Sequence, residues 1–331
     1  MATLKDVARA ANVDVSTVSR ALNNTSHVHP DTKARIYAVA EALGYRPNFI
    51  AQALRQGRRY TIGVVVPRLH LAIFSEIVQG IEAEARKLGY STIICTTEDD
   101  PRVELDCLNR LRNGFVDGIM IAGTGRNSRI LRDLHASGIP VVQIMRKQEP
   151  RISSVVADFE ACGEEAVHYL YQQGCRTIGL ISGSLHLAPY QERYRGYCAA
   201  IQALALTPHL SEATTTVNSF EYGYLCASQL LTSVPTLDAI LAAVDLQGLG
   251  AIRAVTEHGL KIPQQIKIMS LTGHELGSML ETPMTSMEMP AHQMGHKAAQ
   301  MLIEEIQAGK QTQFVPQHLS FPMVLVERES T

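Results

Sequence analysis

Two apolar stripes with helical spacing open the chain: Leu4, Val7, Ala8 and Ala11, then Val15, Val18 and Leu22. Their spacing predicts two short helices. Asp14 stands directly before the second stripe and is a residue type that caps helix N-termini. Two short helices joined by a tight turn are typical of a helix-turn-helix, whose second helix can enter the DNA major groove, although a capped pair of surface helices would show the same pattern.

The polar face of the second predicted helix carries groups suited to DNA. Ser16 and Thr17 offer hydroxyls for base edges or phosphates, and the guanidinium of Arg20 suits guanine. A third stripe predicts a helix from about Asp31 to Leu43, with Ile36, Val39, Ala40 and Leu43 buried. Pro47 suits the first position of a further short helix, Pro47 to Arg55.

From Thr61 onward the pattern changes to short apolar runs that alternate with amphipathic segments. The runs form two series: TIGVVVP, STIICTT, DGIMIAG and PVVQIM, then SSVVAD, TIGLISG, DAILAAV and KIMSL. Continuous apolar strands between amphipathic helices indicate parallel sheets covered on both faces. The fold class is therefore predicted to be α/β, with an N-terminal all-α headpiece followed by two lobes around a cleft.

The distribution of charge supports this division. The first sixty residues hold nine Lys and Arg against four Asp and Glu, whereas the rest of the 331-residue chain holds 21 against 28. A basic head on an acidic body fits a polyanion-binding module joined to domains that do not bind polyanions. The overall net charge of −2 hides this asymmetry.

Other classes of protein find little support. The six cysteines are scattered without a CxxC pair, and no P-loop, GxGxxG after a strand, GxSxG or HExxH occurs. We expect no catalytic residues, no metal and no cofactor. The alternative is a cleft enzyme, because α/β lobes also host catalysis. No signal peptide or membrane-spanning run is present, so we expect a cytoplasmic protein.

The N-terminal part of the chain contains the short segments DVA, TVSR, LN, LGY and PN in this order. They contain Asp6, Val7, Ala8, Thr17, Val18, Ser19, Arg20, Leu22, Asn23, Leu43, Gly44, Tyr45, Pro47 and Asn48, with Ala51 and Leu54 beyond them. In these residues the chain resembles the LacI/GalR family of transcription regulators. The resemblance implies a homodimer that binds a palindromic operator, acts as a repressor and answers to a small polar metabolite, in the first instance a sugar. It implies a periplasmic-binding-protein-like effector domain with two lobes.

The resemblance also implies DNA contacts by Thr3, Val15, Ser16, Thr17, Arg20, Asn23, Asn48, Leu54 and Arg55. Leu54 matches a hinge-helix leucine that wedges between base pairs from the minor groove, although an ordinary core leucine would fit its spacing. The implied domains are residues 1–46 for the headpiece, 47–60 for the hinge and linker, and 61–331 for the effector domain. Lobe one is expected to hold 61–158 and 288–317, and lobe two 159–287 and 318–331.

The residues implied to bind effector are Phe74, Arg146, Asp158, Arg193, Asp245, Gln247 and Thr272. Asp245 follows a predicted strand at the edge where α/β sheets bind ligands, but it could serve only as a helix cap. Arg193 would bind hydroxyls or a carboxylate, with Arg195 as the alternative if the register is shifted. Phe74 would cover a sugar face or lie in the core. Thr272 replaces a second cleft aspartate, so the site is expected to accept neutral or anionic ligands better than cationic ones.

Two alternatives concern control and class. A regulator of the same fold could answer to a phosphocarrier protein instead of a small molecule. A plain solute-binding protein would require export and would not carry residues 1–60.

Overall fold

The computed structural model describes residues 2–23, 28–45, 58–212, 219–309 and 314–331. The chain divides into two compact units, Met1–Arg59 and Tyr60–Thr331. The predicted helix from Pro47 to Arg55, with Asn48 and Leu54, lies outside the described residues. In the described part of the chain, no helix is both long enough and apolar enough to cross a membrane.

Three helices make up the described part of the first unit: α1 (Leu4–Ala11), α2 (Val15–Asn23) and α3 (Pro30–Ala42). Their core contains Val7, Ala8, Ala11, Val18, Ala21, Ile36 and Ala40. Thr3 and Asp6 form a capping box at the start of α1, in which Asp6 Oδ2 accepts from the Thr3 amide at 2.9 Å. Asn12 ends α1 with φ 51°, a left-handed conformation that Asn tolerates well, and so turns the chain towards α2.

The end of α3 differs from the prediction at Leu43. Its side chain is exposed instead of buried, because α3 stops at Ala42 and the chain then turns through Gly44 at φ 59°. The amide of Tyr45 donates to the Ala40 carbonyl at 2.8 Å and closes this end.

Two six-stranded sheets lie in the described part of the second unit. The first has the order β11-β5-β4-β3-β1-β2 and the second β12-β10-β9-β8-β6-β7. Their strands are β1 (Thr61–Val66), β2 (Ser91–Thr96), β3 (Gly118–Ile121), β4 (Val141–Ile144), β5 (Ser153–Ala157), β6 (Ile178–Ser182), β7 (His209–Glu212), β8 (Ala239–Ala242), β9 (Lys267–Gly273), β10 (Thr285–Glu288), β11 (His318–Phe321) and β12 (Val324–Val326). Every pairing is parallel except that of β10 with β12.

Helices cover the faces of both sheets, as the continuous apolar strands require. They are α4 (Ala72–Lys87), α5 (Pro101–Arg112), α6 (Ser128–Ala136), α7 (Phe159–Gln172), α8 (Ala188–Ala203), α9 (Phe220–Ser233), α10 (Asp245–Glu257), α11 (Glu275–Ser278) and α12 (Ala291–Ala308). Helices α7 and α8 cross very closely, since a Cβ at Gly163 would overlap the Arg193 carbonyl and one at Gly196 the Glu160 carbonyl. Glycine at both positions therefore allows the crossing that positions α8.

The tail is where the predicted lobe boundary is wrong. Residues 318–331 were expected in the second lobe, but β11 pairs in parallel with β5 in the first sheet. The Gln317 amide donates to Ser153 Oγ at 3.1 Å and helps to fix this register. The rest of the tail belongs to the second lobe, as predicted. Strand β12 is an antiparallel neighbour of β10, and the Ser330 carbonyl accepts from the Ile268 amide of β9 at 2.9 Å.

Candidate functional site

The exposed face of α2 presents the residues predicted to contact DNA. Val15, Ser16 and Arg20 are exposed and Thr17 is half-buried. Arg20 lies along this face, because Nε donates to the Ser16 carbonyl at 3.2 Å and Nη2 to Thr17 Oγ1 at 3.3 Å. The face is therefore polar and carries a guanidinium that could exchange these weak local bonds for base or phosphate contacts.

The other predicted DNA contacts have different settings. Thr3 Oγ1 donates to Asp6 Oδ2 at 2.7 Å, so its hydroxyl serves the α1 cap. Asn23 is the last residue of α2, but its side chain lies outside the described residues, as do Asn48, Leu54 and Arg55. Their DNA-contact roles stay predictions.

In the second unit, polar side chains meet at the carboxyl ends of β8 and β9, the edge where open α/β sheets bind ligands. Arg193 reaches this edge from α8, and its Nη2 donates to Thr272 Oγ1 at 2.7 Å. The Thr272 hydroxyl in turn donates to the Ala243 carbonyl at 2.8 Å. The structure thus brings together two of the residues that the sequence singled out.

Packing decides between the two candidate arginines of α8. Arg193 is 3% exposed and its guanidinium lies 4.4 Å from the centre of the Phe159 ring, so the ring holds it in place. Arg195 is 55% exposed at its side chain and forms an ion pair with Glu160 at 2.8 Å. Arg193 is therefore the arginine of α8 that lies at this sheet edge, whereas Arg195 lies on the surface. The effector contact of either arginine stays a prediction.

Burial is also the main influence on the charge of Arg193. Removal from water lowers the pKa of its guanidinium, against smaller opposing effects of Cys162 and Tyr190. Its Nε is buried without a hydrogen-bond partner. A buried donor without a partner is rare, and it commonly marks a place where a ligand or water completes the bonding.

Asp245 does not act as the helix cap that was its alternative interpretation. It is the first residue of α10, whose cap position is Val244, and its Oδ2 accepts from the His274 amide at 2.8 Å. Asp245 is 7% exposed and its Oδ1 is buried without a partner. Burial raises the pKa of this carboxyl to about 6. The carboxyl group can therefore accept a hydrogen bond that the protein itself does not supply.

The predicted first-lobe residues divide into a charged cluster and two structural residues. Arg146 is buried after β4, and its Nη1 binds Asp99 Oδ1 at 2.6 Å and the Gly123 carbonyl at 3.1 Å. Phe74 is buried in a hydrophobic core of the second unit, as its alternative interpretation predicted. Asp158 is exposed and caps α7, with Oδ1 accepting from the Ala161 amide at 3.0 Å.

Backbone strain accompanies this charged cluster. Glu98, Asp99 and Met145 all have positive φ, at 51°, 59° and 63°. Residues other than glycine seldom adopt this region, and strain of this kind concentrates at functional sites. Gln247 differs, because it is wholly buried in α10 and a Cβ on Gly223 of α9 would overlap its backbone. Its contact with effector stays a prediction.

Sequence reasoning missed a connection between the lobes. His274 Nε2, after β9, lies 2.8 Å from Glu76 Oε1 on α4 of the first lobe. The same His274 donates its amide to Asp245. A contact between segments so far apart in the chain has no local signature, and only the position of His274 two residues after Thr272 pointed to this region.

Comparisons with known proteins match both units. The family profile for "Bacterial regulatory proteins, lacI family" matches residues 3–48, and that for "Periplasmic binding proteins and sugar binding domain of LacI family" matches residues 59–327. Catabolite control protein A of Staphylococcus epidermidis is 30% identical, over 91% of each chain. The transcriptional repressor PurR of Haemophilus influenzae is 30% identical, over 92% of this chain and 91% of its own.

Among solved structures, the Lac repressor dimer bound to operator and the anti-inducer ONPF superposes with a TM-score of 0.89. It is 26% identical, with 99% of this chain and 98% of that chain covered.

Proposed function

Since this chain belongs to the LacI family of bacterial regulatory proteins, we propose that its effector binds at the carboxyl ends of β8 and β9, against Arg193, Asp245 and Thr272. The protein is a sequence-specific, DNA-binding transcriptional repressor regulated by a small molecule. Its partners are a palindromic operator and a second copy of the chain. We propose further that it acts in the cytoplasm and that it has no enzymatic activity.

One observation carries the effector site. Arg193 Nε and Asp245 Oδ1 are both buried without hydrogen-bond partners, and both side chains reach the same edge of the second sheet. One is a donor and the other an acceptor, so together they fit a ligand with hydroxyls. A sugar or sugar derivative has this chemistry. Each unmade bond in a buried site costs about 1–3 kcal/mol, which favours ligand binding at this edge.

Arg146 and His274 extend the proposed site towards the first lobe. Arg146 is held by Asp99, and His274 joins Asp245 to Glu76. A ligand between the lobes would change the contacts on both sides, and this difference between liganded and unliganded states would couple effector binding to operator affinity.

The effector site is tested by binding measurements on the full chain. Asp245→Asn keeps the shape of the side chain but replaces the free acceptor with an amide, so effector affinity should fall at least tenfold. Thermal-shift screening of a sugar and sugar-derivative panel finds a binder, and isothermal titration then compares the variant with the parent protein. Glu281→Gln, which changes an exposed carboxylate of the second lobe that is not among the predicted effector-binding residues, is the matched control. Equal affinity in Asp245→Asn and the parent would contradict the site.

The DNA face of α2 has its own test. Arg20→Ala should relax base preference at one position of each half-site, at a cost of about 1–3 kcal/mol. Binding to operators with systematic base changes measures this preference. Arg9→Ala is the control, because Arg9 is an exposed arginine of α1 that pairs only loosely with Asp6, at 3.9 Å. A uniform loss of affinity for all sequences would show that Arg20 contacts phosphate instead of a base.

Control by a phosphocarrier protein stays an alternative prediction for this chain. A pull-down from the cytoplasm, followed by operator-binding assays with the recovered protein, separates it from small-molecule control.

A further inference from the structure

The cleft arginine of the second lobe is buried without a counter-charge. Arg193 is 3% exposed, and its Nη2 binds the neutral hydroxyl of Thr272 at 2.7 Å. Its Nε has no partner. A buried cation is strongly disfavoured unless an anion pairs with it. The guanidinium therefore has no anionic partner in direct contact, and a bound ligand can supply one.

Two carboxylates near Arg193 are engaged elsewhere. Asp158 caps α7 through the Ala161 amide, and Glu160 pairs with Arg195. Glu192, the chain neighbour of Arg193, attracts it without direct ion pairing, and burial raises the pKa of the Glu192 carboxyl. Within the described residues, none of the carboxylates forms an ion pair with Arg193.

The first lobe shows the opposite arrangement. Arg146 is almost as buried, but Asp99 lies 2.6 Å from its Nη1. Asp99 also lies 3.3 Å from Arg68, whose Nε lies 2.6 Å from Glu98. Two arginines thus meet two carboxylates, and the first-lobe cluster balances its own charge. The unbalanced charge at the proposed effector site belongs to Arg193.

We propose that the effector is a polyhydroxylated anion, a sugar acid or a sugar phosphate, whose anionic oxygens pair with Arg193 while a hydroxyl donates to Asp245. This inference rests on the proposed function, since it names the ligand class of the same cleft. Guanidinium groups match carboxylate and phosphate geometry with two parallel hydrogen bonds, and Arg193 can supply its free Nε to such a pair. Thr272 contributes a hydroxyl where a carboxylate would have excluded the anion.

The test separates effectors by charge. A small-molecule extract from the cytoplasm of the bacterium that makes the protein is divided on an anion-exchange resin into a retained fraction and an unretained fraction. The full-length protein is assayed with each for its melting temperature and operator affinity. We expect the retained fraction alone to raise the melting temperature, by about 3 °C or more, and to change operator affinity. Phosphatase treatment then assigns the source, because it removes the activity of a sugar phosphate and leaves that of a sugar acid.

Variants connect the response to Arg193. Arg193→Met should weaken the response to the retained fraction at least tenfold, as judged by dilution. Thr272→Asp should do the same, because it provides the missing charge from within and repels an incoming anion, so it serves if Arg193→Met fails to fold. Arg195→Met, a paired surface arginine of the same helix, should respond like the parent.

Each other outcome overturns the inference. Activity in the unretained fraction alone shows a neutral or cationic effector and leaves the cleft itself intact. A full response of Arg193→Met or Thr272→Asp to the retained fraction removes Arg193 as its partner. A response to neither fraction contradicts small-molecule control at this cleft, and the proposed function fails with it.

Discussion

At the scale of single residues, the chemistry of the cleft depends on which side chains lose water. Asp245 and Arg193 would be ordinary surface residues by type, yet both are more than nine-tenths buried and each keeps one polar atom without a partner. Helix capping, the simplest role for Asp245, is excluded because its carboxylate binds the His274 amide instead of the amides of α10. Each of the two residues thus has one buried polar atom without a hydrogen-bond partner at the same sheet edge, and a ligand can supply the partners.

Asp245 should leave a signature in the pH dependence of stability. Burial raises the pKa of its carboxyl from 3.8 to about 6, so between these values the folded state binds more protons than the unfolded state. Its contribution to stability is therefore present below about pH 4 and is lost as the pH rises towards 6. The free energy of unfolding falls by about 3 kcal/mol in this range, because each unit of pKa difference corresponds to about 1.36 kcal/mol.

The measurement is urea unfolding of the ligand-free protein and Asp245→Asn at intervals from pH 4 to pH 7. The difference in unfolding free energy should move in favour of Asp245→Asn by about 3 kcal/mol over this range. Glu305, whose pKa burial raises to about 7, is present in both proteins and cancels in the difference. A difference that does not change with pH would show that the carboxyl titrates normally.

At the scale of elements, the closely crossed helices α7 and α8 build the second-lobe wall. Phe159 on α7 stacks against Arg193 on α8, while Gly163 and Gly196 allow the two backbones to touch. The position of the guanidinium therefore depends on an interhelical distance as well as on its own contacts. A small change at the crossing should move Arg193 relative to Thr272.

Gly196→Ala tests this dependence. Alanine is the better helix former by about 1 kcal/mol, but its Cβ would overlap the Glu160 carbonyl and force the helices apart. We expect a net loss of about 1–3 kcal/mol of unfolding free energy together with weaker effector binding. Chemical denaturation and isothermal titration measure the two effects. Ala199→Leu, on the exposed side of α8, should change stability by no more than about 0.5 kcal/mol, and a similar result for Gly196→Ala would contradict the close crossing.

At the scale of the whole molecule, the dimer requires a surface that the monomer leaves open. Strand β2 is an edge of the first sheet, and its Ile93 and Ile94 are exposed. Exposed apolar edge strands favour pairing with another chain, and monomeric proteins avoid them. A two-fold dimer places the same patch of both copies together. We therefore expect β2 and its neighbourhood to lie in the dimer interface.

Ile94→Asp should weaken the dimer, because it buries a charge in an apolar interface. Ile94 is 41% exposed in the single chain, so the substitution should leave the fold intact. Sedimentation velocity over a dilution series should show monomer at concentrations where the parent is dimeric, and operator affinity should fall with dimer content. Val324→Asp, at an exposed apolar position of β12, is the control. An unchanged dimer in Ile94→Asp would place the interface elsewhere.

Much of the architecture follows from local pattern. Helical spacing and the Thr3–Asp6 capping box determine α1, and the apolar run of β1 predicts a strand buried on both faces. Helices and strands can be predicted from such patterns because they depend mainly on the order of apolar and polar residues close together in the chain. The helix-turn-helix and the two α/β lobes could be predicted in this way, whereas the effector-binding residues were implied by the family resemblance and stay predictions.

Features that depend on partners far away in the chain could not be predicted from local pattern. Arg193 and Arg195 stand on the same helix two residues apart, and the packing of α8 on α7 alone buries one and exposes the other. The residues of β11, HLSF, do not show which of the two sheets this strand joins. Its pairing with β5 showed that the predicted lobe boundary at residue 318 was wrong. The His274–Glu76 contact likewise joins two lobes. Burial, pairing partner and counter-charge depend on surfaces that meet only when the chain has folded. Local sequence pattern is therefore enough to predict the helices and strands, but the chemistry of the cleft depends on how they pack.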